Sequence, residues 1–107
     1  EIYQNTRKFI LSKDNPYYYE GKDARGIGSA HTPENYIWHI ALSIQGLTTE
    51  SKQEKMELLK TLISTDGGKG LMHEGFNCDD SHEFTREWFA WSNSMFANFV
   101  YETLLEQ

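Results

Sequence analysis

The sequence predicts an all-α fold, and three observations carry that expectation. Apolar residues recur at helical spacing almost throughout, no segment of convincing length alternates with a strand's period of two, and helix caps and stops punctuate the chain. Helices that are apolar on most sides alternate with amphipathic ones, the pattern that concentric rings of helices produce when outer helices cover inner ones. About four helices are expected.

In chain order, Ile2, Tyr3, Phe9 and Ile10 form the apolar side of a short amphipathic helix. It stops at Asn15, because Pro16 biases the residue before it away from the helical region. Tyr17 to Thr32 reads as a long loop with a tyrosine triplet and Gly21, Gly26 and Gly28; loops of that length are usually functional or disordered, and the tyrosines argue against disorder. Thr32, Pro33 and Glu34 then read as a helix start, leading into a helix through Leu47 in which Ile37, Trp38, Ile40, Ala41, Leu42 and Ile44 leave almost no polar face. Ser51 and Glu54 form a capping box before an amphipathic helix to Ile63, with Met56, Leu59, Leu62 and Ile63 as its expected inward stripe. Asp66, Gly67 and Gly68 stop it. A second loop, Leu71 to Glu83, leads to a long helix from about Arg86 to Leu105.

Composition narrows the function classes. The chain has 107 residues, one domain's worth, with a net charge of −6. An acidic balance argues against a protein that tracks nucleic-acid phosphates, and no apolar run reaches the roughly 18 to 20 residues of a membrane span. Cys78 is the lone cysteine, so no internal disulfide is available. Fifteen aromatic residues, 14% of the chain against 38% hydrophobic overall, are many for so small a core. They suggest an aromatic-lined pocket or one piece of a larger fold.

Familiar chemical motifs fail on inspection. His73-Glu74 opens like a zinc-protease motif, but Asn77 stands where its second histidine is needed. Asn77, Asp79 and Ser81 imitate a calcium loop that lacks its turn glycine and closing glutamate. Gly68-Lys69 lacks the hydroxyl residue of a phosphate loop, and Gly26-Ile27-Gly28 is half a dinucleotide fingerprint with no strand before it. His73, Cys78, Asp79, Asp80 and His82 match no standard metal spacing, so neither metal nor cofactor is expected. What remains is two loops, each preceding an apolar helix and thus opening on the same end of the fold. One offers Ser29, His31 and Thr32; the other offers His73 and Glu74 between Gly70 and Gly75. Rings beside carboxylates and imidazoles suit a sugar, whose face stacks while its hydroxyls are hydrogen-bonded. The plainer reading makes Glu74 a solvated loop acid and His31 part of a cap.

Two long strings resemble glycoside hydrolase family 125. The first is Tyr17-Tyr18-Tyr19-Glu20-Gly21, Gly26-Ile27-Gly28-Ser29-Ala30-His31-Thr32-Pro33 and Tyr36-Ile37-Trp38. The second is Gly70-Leu71-Met72-His73-Glu74-Gly75-Phe76 with Phe84-Thr85-Arg86-Glu87-Trp88-Phe89-Ala90-Trp91-Ser92-Asn93. Ala30 and His39 depart from it, standing where the family pattern has proline. The resemblance implies a metal-independent, inverting exo-α-1,6-mannosidase on an (α/α)6 barrel, with residues 1–107 forming the C-terminal arc of its single catalytic domain and the remainder of the barrel supplied by the same polypeptide. It implies a mannose-containing oligosaccharide as substrate, Glu74 as general base in preference to Glu87, and Ser29, His31, Thr32 and His73 as substrate-binding residues. An inverting glycosidase also needs a carboxylic acid facing the base across the scissile bond. The resemblance places that Asp before residue 1, so the 107-residue chain is expected to be inactive by itself. Two alternatives stand beside this reading. One is a non-catalytic all-α interaction domain with Glu74 solvated, and the other is an (α/α)6-barrel glycosidase for a different sugar.

Overall fold

A computed structural model describes residues 1–105, and among them it shows four helices and five short strands. The elements run α1 (Ile2–Ile10), β1 (Tyr18–Glu20), β2 (Arg25–Ile27), β3 (Tyr36–Trp38), α2 (His39–Thr48), α3 (Lys52–Ser64), β4 (Gly75–Asn77), β5 (Phe84–Thr85) and α4 (Ala90–Leu105). The expectation of an all-α arc of an (α/α)6 barrel is therefore corrected to α+β. Both loops that precede the apolar helices are built from antiparallel strands.

The physical reason is local. Asn35 has a φ of 70°, a left-handed conformation that asparagine tolerates and a helix does not. The helix anticipated from Thr32 therefore cannot start there. Tyr36, Ile37 and Trp38 are aromatic and β-branched, and they pair with Asn77, Phe76 and Gly75 in an antiparallel ladder. β5 closes the other edge, with Phe84 opposite Phe76 and Thr85 opposite Gly75. Arg86, with φ 53°, then turns the chain, so α4 starts at Ala90 rather than near residue 86. The separate β1–β2 hairpin pairs Tyr18 with Ile27 and Tyr19 with Gly26. It docks on β3 through Gly28, where an added Cβ would lie 2.0 Å from the Tyr36 carbonyl oxygen, so only glycine fits.

The helices follow the sequence more closely. α1 ends at Ile10, short of the stop anticipated at Asn15, and the Asn15 side chain donates to the Ile10 carbonyl and accepts from the Tyr17 amide. Ser51 accepts from the Glu54 amide, half of the expected box. The Glu54 carboxylate does not reach back; it binds Thr49, Gln45 and Arg7 instead. The inward face of α3 is Lys55, Leu58 and Leu62, while Met56 and Ile63 lie exposed, so the anticipated stripe is rotated around the helix.

α2 is the central rod, packed against both α3 and α4. Gly46 on α2 abuts Phe99 on α4 so closely that a Cβ there would lie 2.3 Å from the ring. Ile37, Leu42, Leu58, Leu62, Met72, Phe76, Cys78 and Phe99 make one continuous core. Outside it, Trp88, Trp91, Tyr101, Leu104 and Leu105 remain exposed. None of the helices is long and apolar enough to cross a membrane, among the described residues.

Candidate active site

The three-stranded sheet ends on a row of three facing residues, Trp38, Gly75 and Thr85. Glu74 stands at the start of that row. Its amide donates to the Thr85 carbonyl at 3.1 Å, so the ladder fixes where its side chain leaves the backbone. The side chain is 15% exposed, and Arg86 Nε lies 3.4 Å from Oε2. The left-handed turn at Arg86 brings that guanidinium back over the sheet end, where it also lies 5.6 Å from the Phe89 ring centroid. Glu87, the competing acid, points elsewhere: its carboxylate is 60% exposed and pairs with Lys69 at 3.5 Å.

The Ser29–Thr32 turn reaches the sheet through Thr32, which lies against Gly75. Ser29 Oγ accepts from the His31 amide at 3.1 Å, and the Ser29 carbonyl accepts from the Thr32 hydroxyl. Trp38 Nε1 donates to Thr32 Oγ1 at 2.9 Å, pinning the turn to β3. Gly75 makes room for this. A Cβ there would come within 3.2 Å of the indole and 3.4 Å of the Thr32 methyl. His31 is exposed, its ring 6.4 Å from that of Trp38. Thr32 is thus packed against Gly75, the chain neighbour of Glu74, at the rim of the sheet, although more than forty positions separate Thr32 from Glu74 in the chain, and Ser29 and His31 belong to the same turn as Thr32. Within this turn Ser29 is half-buried and His31 exposed, whereas Thr32 is buried, its hydroxyl bonded to both the Ser29 carbonyl and the Trp38 indole.

His73 is placed differently. Its ring is fully buried, with Nδ1 2.7 Å from the Glu87 carbonyl oxygen and Nε2 2.7 Å from that of Asp66. Neither nitrogen faces the rim. The His73 amide donates to His39 Nδ1 at 2.8 Å. A backbone N–H can only donate, so that His39 nitrogen carries no proton, and its Nε2–H donates to Thr65 Oγ1 at 3.1 Å. The Thr65 hydroxyl in turn donates a hydrogen bond to the Thr61 carbonyl. Burial and the neighbouring His73 hold His39 down at about 3, which keeps it neutral.

Sequence reasoning passed over Trp38, Arg86 and His39 as site-building residues. Trp38 and Arg86 lie inside the two conspicuous strings; Trp38 is set by a strand pairing that a three-residue segment conceals, and Arg86 by the positive-φ turn after β5. Among the described residues no group of three or more His, Cys, Asp or Glu converges as metal ligands. A cavity of about 300 Å³ beside the C-terminal half of α2, bordered by Tyr18, Arg25, Gln45 and Glu54, includes none of the rim residues.

Residues 1–101 match the family described as metal-independent alpha-mannosidase (GH125). The meiotically up-regulated gene 157 protein of Schizosaccharomyces pombe is 43% identical over 104 residues, 96% of this chain and 20% of that protein. A solved Streptococcus pneumoniae structure, from a family of metal-independent alpha mannosidases and in a non-productive complex with alpha-1,6-mannobiose, is 54% identical with a TM-score of 0.96. It is matched over 100% of this chain and 25% of its own. The chain thus spans a quarter or less of the length of these relatives.

Proposed function

The chain belongs to the metal-independent α-mannosidases of glycoside hydrolase family 125, and from that premise we propose that it carries the general base of an inverting exo-α-1,6-mannosidase acting on mannose-containing oligosaccharides. The observation that carries this reading is the placement of Glu74. Its side chain is 15% exposed and flanked by Arg86, its backbone is anchored by the sheet, and the next residue, Gly75, packs against Trp38 and Thr32. The solved relative's complex with α-1,6-mannobiose supports the sugar and the linkage.

In this mechanism a mannose unit lies against the rim, its hydroxyls taken by Ser29, His31 and Thr32. Glu74 removes a proton from a water on the face of the sugar ring opposite the leaving group. That water attacks the anomeric carbon as the glycosidic bond breaks, and a carboxylic acid from elsewhere in the same polypeptide protonates the departing oxygen. Base catalysis of this kind contributes roughly 10² to 10⁴-fold. The same polypeptide also covers Trp91, Tyr101, Leu104 and Leu105, whose exposed faces an intact enzyme buries. An interaction module with no catalysis calls for a solvated Glu74, and this carboxylate is mostly buried.

The test is the anomer released first. The full-length protein given α-1,6-mannobiose should liberate β-mannose, followed by NMR before mutarotation, and chelator should leave the rate unchanged. No release, initial α-mannose, or chelator-sensitive turnover would overturn the proposal.

A further inference from the structure

The residue before Glu74 is used in a way the proposed chemistry does not require. Both ring nitrogens of His73 lie 2.7 Å from backbone carbonyl oxygens, those of Asp66 and Glu87. Carbonyl oxygens only accept. A neutral imidazole has one N–H, so one of these contacts would set a lone pair against a lone pair at hydrogen-bond distance. Only the doubly protonated ring makes both contacts hydrogen bonds.

We propose that His73 is a buried imidazolium that acts as a positioning residue for Glu74, clamping the carbonyls of Asp66 and Glu87. The surroundings suit a cation. Phe84 stacks on the ring at 3.9 Å, nearly parallel, offering the negative face of its π-system. On the other side His39 is neutral, because its Nδ1 must accept from the His73 amide, so no like charge opposes it. Phe76 stacks in turn on His39 at 4.6 Å. Burying an unpaired charge costs several kcal/mol unless strong hydrogen bonds offset it, and two charge-assisted bonds at 2.7 Å are of that kind.

The clamp reaches Glu74 by two routes. His73 is its chain neighbour, locked at the backbone by His39 and at the ring by both carbonyls. The Glu87 carbonyl also belongs to the turn that follows Arg86, a non-glycine residue at positive φ. Holding that turn directs the Arg86 guanidinium onto the Glu74 carboxylate. The other charged groups around the clamp face outward: Lys69 and Glu87 pair with each other, and the Asp66 carboxylate accepts from the amides of Gly68 and Gly70.

This inference rests on the reading of Glu74 as the base, and its test separates the two. In the full-length enzyme labelled with ¹⁵N-histidine, both His73 ring nitrogens should resonate as protonated at neutral pH; one bare nitrogen would overturn the proposal whatever Glu74 does. The variant His73→Gln, which retains at most one of the two bonds, should lower kcat by roughly 10 to 100-fold while mannobiose affinity stays within about threefold. An unchanged kcat, or a loss confined to affinity, would also overturn it. Should that variant fail to fold, the wild-type spectrum alone decides. If Glu74→Gln leaves turnover intact while the His73 spectrum is as expected, the base assignment fails and the buried cation stands.

Discussion

The two ends of α2 each hold a polar cluster, and the clusters differ in what they leave available. At the C-terminal end the Glu54 carboxylate accepts from Gln45 Nε2 at 2.8 Å, from the Thr49 hydroxyl at 2.6 Å and from the Arg7 guanidinium. Beside it Lys55 Nζ donates to the Gly46 carbonyl, and the Tyr3 hydroxyl donates to that of Thr48. These bonds tie α1, α2 and α3 together and saturate the acid. At the N-terminal end the His39–His73 pair is equally saturated, but Glu74 beside it is not. Its side chain, 15% exposed, meets one guanidinium, with Arg86 Nε 3.4 Å from Oε2. A carboxylate surrounded by donors works as a strut, whereas one positioned by its backbone retains lone pairs for a water molecule.

The contrast can be broken from the structural side, beginning with the largest effect. Phe99 is fully buried and fills the space that Gly46 leaves on α2. Phe99→Ala should destabilise the full-length protein by about 3–5 kcal/mol in chemical denaturation, since such a cavity collapses only partly. Mannobiose affinity of the folded protein should not change. A loss of affinity without a loss of stability would show that the helical core and the rim are not separable as described.

Glu54→Gln should cost less, about 1–3 kcal/mol, the scale of a lost charge-assisted hydrogen bond. Its pH dependence sharpens the comparison. Burial pushes the Glu54 carboxyl upward, but the hydrogen bonds from Gln45, Thr49 and Arg7, with the Arg7 charge, outweigh it and hold it below its ordinary value. The folded state therefore binds a proton less readily than the unfolded one. The advantage of wild type over Glu54→Gln should be full above the ordinary glutamate range and fade as pH falls through the lower folded value. Denaturation midpoints across an acid series check this; a gap independent of pH would mean that the carboxylate's charge is not what α1 and α3 are tied to.

Much of this was legible in the sequence where the signal was local. Ser51 caps α3 and the apolar run after Trp38 is a helix, because adjacent residues decide these outcomes, although α1 already ends at Ile10 and Ile44 on α2 stays exposed. The strands were not legible. Tyr36-Ile37-Trp38 is too short to show a period, and an apolar run of that length reads equally as helix or strand. Its identity is settled by Gly75–Asn77, nearly forty residues away, and by the positive φ of Asn35. The rotated stripe on α3 has a similar origin. Met56 and Leu58 are comparable in apolarity, and only the seat of Lys55 against the Gly46 carbonyl shows which faces inward. Ser29, His31, Thr32 and Glu74 could be singled out in the sequence as polar groups on glycine-rich loops, and the role proposed for them rests on that reading. The inward turn of the His73 ring could not, because its partners are backbone carbonyls, which no residue type announces.

The assignment of Glu74 is tested most directly by comparing Glu74→Gln with Glu87→Gln in the full-length protein, turnover of α-1,6-mannobiose and its affinity being measured on each. Glu74→Gln should reduce turnover by roughly 10² to 10⁴-fold, as loss of a general base requires, with affinity within about threefold of wild type, while Glu87→Gln loses only an exposed pair with Lys69 and stays near wild-type rate. Near-normal turnover in Glu74→Gln, with a collapse in Glu87→Gln, would contradict the account and transfer the base to the exposed acid.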